Sequence, residues 1–158
     1  MVEILLIIIV GAIIAKIYYE FKDKKEKEEQ GKIIKREKNF FDEREIFSSK
    51  TIEWDEIKKA LDEIDLSEIK RLKVTKYDNY YRYSQYIGDY GWVAIFKHNG
   101  KTDNKSQYEF YVSSYRELYE PYMINMLFTA IEKMLIELDP DIEVRKEVIK
   151  RKTKRSFF

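Results

Sequence analysis

Residues 80–113 read YYRYSQYIGDYGWVAIFKHNGKTDNKSQYEFYVS and decide the fold, because aromatic and apolar side chains alternate with polar ones around two turn signals. Gly88-Asp89 has the composition of a two-residue hairpin, with glycine in the first position as a type II′ turn requires. A turn there pairs Ile87 with Tyr90. The stretch therefore predicts an antiparallel meander of three strands.

Two strand registers are possible for the second turn of this meander. Asn99-Gly100 has the composition of a tight hairpin, but that register sets Phe96 opposite Asp103. Pairing His98 with Ser106 across a seven-residue loop instead keeps the large aromatic side chains on one face. Because hydrophobic patterning selects the register wherever one face is buried, we predict the longer loop, with His98 as a turn residue at the end of its strand.

This register divides the meander into two faces. The predicted core face holds Tyr81, Tyr83, Trp92, Ala94, Phe96, Tyr108, Phe110 and Val112. The other face has an apolar centre in Val93 and Ile95 and a polar, aromatic surround. Packing between strands is the simplest explanation for many tyrosines, but Tyr and Arg are also enriched at binding hot spots. On that ground the predicted partner-binding residues are Tyr80, Arg82, Glu109 and Tyr111.

Two helices are predicted around the meander. Apolar residues recur at helical spacing behind Thr51, a candidate N-cap, and predict a helix over 52–64. Behind Pro121, residues 122–138 predict a longer helix that is apolar around most of its surface, with one narrow polar stripe. So wide an apolar surface indicates a central helix that packs against more than one neighbour.

Further strands are predicted over 69–77 and 141–149. The expected fold class is α+β, with an N-terminal transmembrane helix and a charged linker. These lead to a small domain in which an antiparallel sheet of three to four strands is packed by the 122–138 helix. A chain of this length has room for one such domain with a single core.

Residues 1–21 predict a membrane anchor. Their uncharged core, residues 4–15, would span ~18 Å as a helix, which is short of the ~30 Å hydrocarbon layer. No Lys or Arg precedes the core, and no small-x-small cleavage site follows it, which argues against a cleaved signal. Basic residues begin at Lys16, so the rest of the chain is expected in the cytoplasm, with the N-terminus outside the cell membrane. The alternative is a buried or peripheral helix of a soluble domain.

The remaining boundaries follow from charge. Residues 22–39 predict a charged spacer, residues 40–149 the cytoplasmic α+β domain and residues 150–158 a basic tail. The tail is a solvated extension, a lipid-contacting segment or, as the least favoured reading, a nucleic-acid-binding segment. The candidate lipid-contacting residues are Lys150, Arg151, Lys152, Lys154 and Arg155.

Composition restricts the chemistry. The chain has no Cys and only one His, which excludes disulfides and thiolate metal sites and argues against a histidine-based zinc site or a Ser-His-Asp triad. No phosphate-binding loop, dinucleotide fingerprint or metal-ligand spacing occurs. We therefore expect no enzymatic activity, no cofactor and no metal.

These patterns lead to a functional expectation. We predict a single-pass membrane protein whose cytoplasmic domain binds another protein and recruits or neutralises it. Two alternatives stay open, a membrane-anchored nucleic-acid-binding protein and a structural subunit of a membrane assembly. Residues 51–141 hold twelve basic and seventeen acidic side chains, a net charge of −5, which makes nucleic acid the less expected partner.

Overall fold

A computed structural model describes residues 2–37, 39–88, 90–116 and 121–150, with side chains from Ile9 onward and without that of Tyr90. The helices are α1 (Val2–Glu29), α2 (Trp54–Glu63) and α3 (Tyr122–Leu138), with a 3-10 helix at Phe40–Asp42. The strands are β1 (Glu43–Ser49), β2 (Lys73–Lys76), β3 (Tyr80–Ile87), β4 (Tyr90–Thr102), β5 (Lys105–Arg116) and β6 (Glu143–Val148). The chain divides after Lys35 into two units.

The first unit consists of α1 and the turn that ends it. Gly31 has a φ of 66°, and its amide donates to Glu28 while the amide of Lys32 donates to the carbonyl of Lys27. This is the Schellman arrangement, which needs a left-handed residue just past the helix. The helix therefore ends just before Gly31. In its charged part, acidic and basic side chains pair at a spacing of four residues, as between Asp23 and Lys27 at 3.8 Å.

The predicted transmembrane part of the fold finds no support. Among residues whose side chains the structure describes, no helix is long and apolar enough to cross a membrane. The physical reason lies in the sequence of α1, since its uncharged core is short and charged residues recur along the helix from Lys16 onward.

The second unit is an antiparallel sheet of six strands in the order β2-β3-β4-β5-β1-β6, which confirms the α+β class. The predicted size of three to four strands was too small, mainly because β1 was missed. This strand begins with three charged residues, and the third of them, Glu45, is buried together with Ile46 and Phe47, so its sequence lacks the alternation of apolar and polar residues that marks a strand. The last strand was predicted correctly, and it pairs with β1.

The register of the meander was predicted correctly at one turn and wrongly at the other. Ile87 pairs with Tyr90 as expected; Gly88 has a φ of 61°, and Asp89 lies outside the described residues. At the second turn His98 pairs with Tyr108 instead of Ser106.

The strands β4 and β5 continue into the residues of the predicted loop, as far as a two-residue turn at Asp103-Asn104. Both residues of this turn have positive φ. Such a turn suits a hairpin, and Asp and Asn tolerate this conformation. A bulge between His98 and Lys101 absorbs Asn99-Gly100. The two-residue error in register keeps residues 94–98 of β4 and 108–112 of β5 on their predicted faces, because strand side chains alternate with a period of two. A second bulge between Val93 and Ala94 shifts the register by one more residue beyond that point.

The core face is confirmed. All eight of its predicted residues are at most 3% exposed. Both helices of this unit pack on that face, since the Trp54 ring of α2 stacks on Phe96 and the Phe128 ring of α3 lies 4.2 Å from that of Phe110. The predicted N-cap of α2 was wrong, because Glu53 caps the helix through a reciprocal capping box with Glu56.

The helix α3 has the predicted bounds. Its polar stripe is buried at the N-terminal end of the helix and exposed at Lys133 and Glu137. Asn125 is 9% and Thr129 is 2% exposed, and the Thr129 hydroxyl donates to the Asn125 side chain at 3.1 Å. This buried part of the stripe contacts polar groups of the same unit.

Gly91 in β4 lies directly under the ring of Tyr86, its partner on β3. A Cβ atom at position 91 would overlap the Tyr86 ring and lie 2.7 Å from the backbone oxygen of Gln85. Because the backbone oxygen cannot move aside like the end of a flexible side chain, a side chain here would push the two strands apart.

We therefore expect Gly91→Ala to lower the free energy of unfolding by about 1–3 kcal/mol. The measurement is chemical denaturation of the full chain, followed by tryptophan fluorescence. Gly11→Ala is the matched control, because a Cβ at that helical position meets no atom within 4 Å. An equal effect of the two substitutions would contradict the prediction.

Candidate functional site

The sheet side opposite α2 and α3 is the candidate partner-binding surface, and we call it the second face. It carries the four predicted residues, Tyr80, Arg82, Glu109 and Tyr111. Among the described residues of the unit from Arg36 onward, neither helix packs on this side, because both contact the core face. The second face is therefore the one broad surface of the sheet that its own helices leave uncovered.

Strand register brings the four predicted residues together. Arg82 and Tyr111 flank Ile95 in one row across β3, β4 and β5. In the next row, Tyr80 and Glu109 flank Lys97 in the same way. The six side chains thus form a patch two rows deep, with Ile95 and Lys97 at its centre.

Glu109 is held in place by neighbouring side chains. It is 7% exposed, and it accepts hydrogen bonds from Arg44 at 2.7 Å and from the Asn99 amide at 3.1 Å. Arg44 also donates two bonds to Glu147, at 2.9 and 2.6 Å. Hydrogen bonds from Arg44 to Glu147 and Glu109 raise the pKa of the guanidinium. Glu109 therefore ties β5 to β1 and β6 through Arg44.

The two tyrosines of the patch are protonated near neutral pH. Burial raises the pKa of Tyr80, and the adjacent Tyr77, whose ring stacks on it at 4.2 Å, raises it further. Burial also raises the pKa of Tyr111, and Glu109 adds to this while Arg44 opposes it. Both hydroxyls are therefore available as neutral hydrogen-bonding groups beside apolar side chains, the combination that favours Tyr at interfaces.

A second cluster, which the sequence analysis missed, is buried between α3 and β1. The Arg36 side chain is 3% exposed. It makes a bidentate pair with Glu132, at 3.0 and 2.5 Å, and donates to the Asn125 side-chain oxygen at 2.9 Å. Its guanidinium also lies over the rings of Phe40 and Phe128, 5.6 and 5.3 Å from their centroids. The sequence did contain a signal for this cluster. Polar residues recur at positions 125, 129 and 132 of a helix that is otherwise mostly apolar.

Glu45 is the second carboxylate of this buried cluster. Its Oε1 lies 3.3 Å from Arg36 and 3.2 Å from the Lys146 ammonium, while its Oε2 is buried and has no hydrogen-bond partner among the described residues. Burial raises the pKa of Glu45 to about 7, and the nearby Glu132 carboxylate adds to the effect. Arg36 and Lys146 oppose it. Protonation of Glu45 therefore avoids a buried negative charge on an oxygen, Oε2, that has no hydrogen-bond partner among the described residues.

His98 differs from its predicted place in a turn. It lies inside β4, where its ring packs against those of Trp54 and Tyr108, with centroid distances of 5.5 and 5.4 Å. Burial lowers its pKa, so the neutral imidazole packs as an aromatic side chain. Within the described parts of the chain, no group of three or more His, Asp or Glu side chains is placed to hold a metal ion.

The candidate lipid-contacting residues fall largely beyond the described structure. Lys150 is exposed after the end of β6. Arg151, Lys152, Lys154 and Arg155 lie outside the described residues, so their predicted role stays a prediction.

Comparisons with known proteins add no relative. Neither a family model, nor a curated protein, nor a solved structure matches the chain. What the chain does has to be inferred from its own contacts, charges and burial.

The Glu45 cluster predicts a pH dependence of stability. A carboxyl whose pKa rises from 4.5 to about 7 on folding binds more protons in the folded state. It therefore stabilises the fold below pH 4.5 and loses this contribution as the pH rises to about 7. Glu45→Gln keeps the neutral form at every pH. Relative to the natural chain, this variant should gain about 2.5 kcal/mol of unfolding free energy between pH 5 and pH 8.5.

Urea denaturation across that pH range measures the difference. The matched control is Glu143→Gln, since Glu143 is paired with Lys105 and its pKa is lowered by that hydrogen bond. The control should change stability by the same amount at pH 5 and pH 8.5. A constant difference for Glu45→Gln as well would show that Glu45 is charged throughout.

Proposed function

We propose that this chain is a membrane-tethered module that binds another protein through the second face of its sheet and thereby recruits or neutralises it. The observation that supports the proposal most strongly is the grouping of Tyr80, Arg82, Glu109 and Tyr111 around Ile95 and Lys97. The helices of the same unit leave this patch uncovered. Aromatic and arginine side chains around a small apolar centre are the composition of binding hot spots.

The tether in this proposal is α1. The side chains of Ile9, Val10, Ile13, Ile14 and Ile17 are between 47% and 62% exposed. An apolar surface of this kind is costly in water and is matched to lipid. With basic residues following the apolar run, the proposed orientation places the N-terminus outside the cell membrane and the sheet in the cytoplasm.

The proposal assigns no reaction to the chain. In the interior, the carboxylates of Glu45 and Glu132 are both engaged by Arg36. Those on the second face, Glu109 and Glu147, are engaged by Arg44. Binding is thus the activity that the accessible side chains support.

Membrane attachment is tested by fractionation. We expect the full chain to sediment with membranes, to resist alkaline carbonate and to be released by detergent. The double substitution Ile13→Lys and Ile14→Lys should shift it to the soluble fraction, because each buried charge near the centre of a helix in lipid costs about 2.5–3.5 kcal/mol. Release of the natural chain by carbonate alone would contradict insertion into the bilayer.

Partner binding is tested by crosslinking in native membranes, using the full chain. Arg82→Glu should reduce capture of any crosslinked protein about tenfold or more, as expected for loss of a hot spot of about 2 kcal/mol. Lys59→Glu, which makes the same change in charge on the exposed side of α2, is the matched control and should capture as the natural chain does. Equal capture by both variants would exclude the second face as the binding surface.

A further inference from the structure

We propose that the second face binds an acidic segment of the partner protein, held in an extended conformation along Lys73, Arg82 and Lys97. This inference rests on the proposed function and adds the chemistry of the partner. We call these three residues the basic diagonal. Two of them, Lys73 and Lys97, were not among the residues predicted from the sequence.

The basic diagonal follows from strand register. Lys73 on β2 pairs with Ser84, and Arg82 lies two residues away from Ser84 on β3. Arg82 pairs in turn with Ile95, and Lys97 lies two residues further along β4. Each step is therefore one strand across and two residues along, a distance of roughly 7–8 Å. The three cations form a line across three adjacent strands.

Within the described structure, none of these three cations forms an ion pair with a carboxylate. Glu109, the cross-strand neighbour of Lys97, is held by Arg44 instead. The Arg82 guanidinium makes a weak hydrogen bond of 3.4 Å to the Ser84 hydroxyl. The other half of the second face is neutralised. There Arg44 holds Glu109 and Glu147, and Lys105 holds Glu143. Apart from the exposed Arg116 at the end of β5, the cations of the described second face that lack an ion pair therefore lie on β2, β3 and β4.

The spacing of the diagonal suits an extended acidic chain. Alternate side chains of a β-strand lie roughly 7 Å apart on the same side, close to the spacing of the cations. Carboxylates at every second position would therefore meet the three cations in turn. Tyr80, in the row of Lys97, adds an aromatic surface beside the third cation.

Charge over the wider domain favours a protein over a membrane or a nucleic acid. Residues 51–141 have a net charge of −5, and this field repels a surface or polymer of dense negative charge. A short acidic segment meets only the local positive strip. Complementary charge of this kind selects partners and speeds their encounter.

The test uses the full chain in a mild, uncharged detergent and fluorescence anisotropy. The probe is a labelled peptide of alternating Glu and Thr, and the control probe replaces Glu with Gln. We expect binding of the acidic peptide only, weakening with added salt because exposed charges are screened. Lys73→Glu with Lys97→Glu should weaken it about tenfold or more. Lys59→Glu with Lys70→Glu, the matched change at exposed positions off the diagonal, should not.

A second experiment, in which the charges of chain and peptide are exchanged, tests whether the variant is still folded. The Lys73→Glu and Lys97→Glu chain should bind a peptide of alternating Lys and Thr, which an unfolded or damaged surface would not select. Equal binding of the Gln peptide would overturn the proposal, as would equal loss in the control variant. Preferential binding of phosphatidylserine vesicles or of a single-stranded oligonucleotide, sensitive to the same substitutions, would overturn it in favour of lipid or nucleic acid.

The peptide result separates this inference from the proposed function. If the acidic peptide fails to bind while capture in membranes still depends on Arg82, the inferred chemistry of the partner is wrong and the binding face stands. If capture is also independent of Arg82, both proposals fall.

Discussion

The buried charge of Arg36 is the constraint on which the packing of α3 against β1 depends. Its guanidinium is engaged by Glu132 and Asn125 from the helix and by Glu45 from the strand. An ion in the interior is tolerated only when its hydrogen bonds are satisfied, and removing one partner leaves the others uncompensated. The segment that carries Arg36, the helix α3 and the strand β1 are therefore fixed relative to one another.

The helices cover one face of the sheet and leave the other face uncovered. Both helices contact the core face, where large aromatic side chains fill the interior. The second face is instead held by ion pairs, with Arg44 linking β1, β5 and β6. Ion pairs at a surface contribute little to stability individually, but here they connect three neighbouring strands through Arg44. Strand geometry, without help from any loop, then sets the positions of the side chains that we propose bind a partner.

Much of this architecture was predictable because hydrophobic patterning has a simple period in strands and helices. The register of β3 and β4 followed from the glycine-first turn, and the bounds of α3 followed from its apolar surface. The strand β1 was not predictable in the same way, since Glu45 is buried only because Arg36 and Lys146 reach it. A local sequence pattern cannot predict that the charge of Glu45 is compensated by residues 9 and 101 positions away, Arg36 and Lys146.

The class of the fold, the two faces of the meander and the grouping of Tyr80, Arg82, Glu109 and Tyr111 on one face all follow from local sequence. Alternation with a period of two is enough for that, even when the register at one turn is wrong by two residues. Which of these side chains are already engaged depends on contacts between elements that are distant in the chain. Glu109 is committed to Arg44, while Arg82 joins Lys73 and Lys97. The reason is that pairing between distant strands, and not local sequence, places opposite charges within reach of each other.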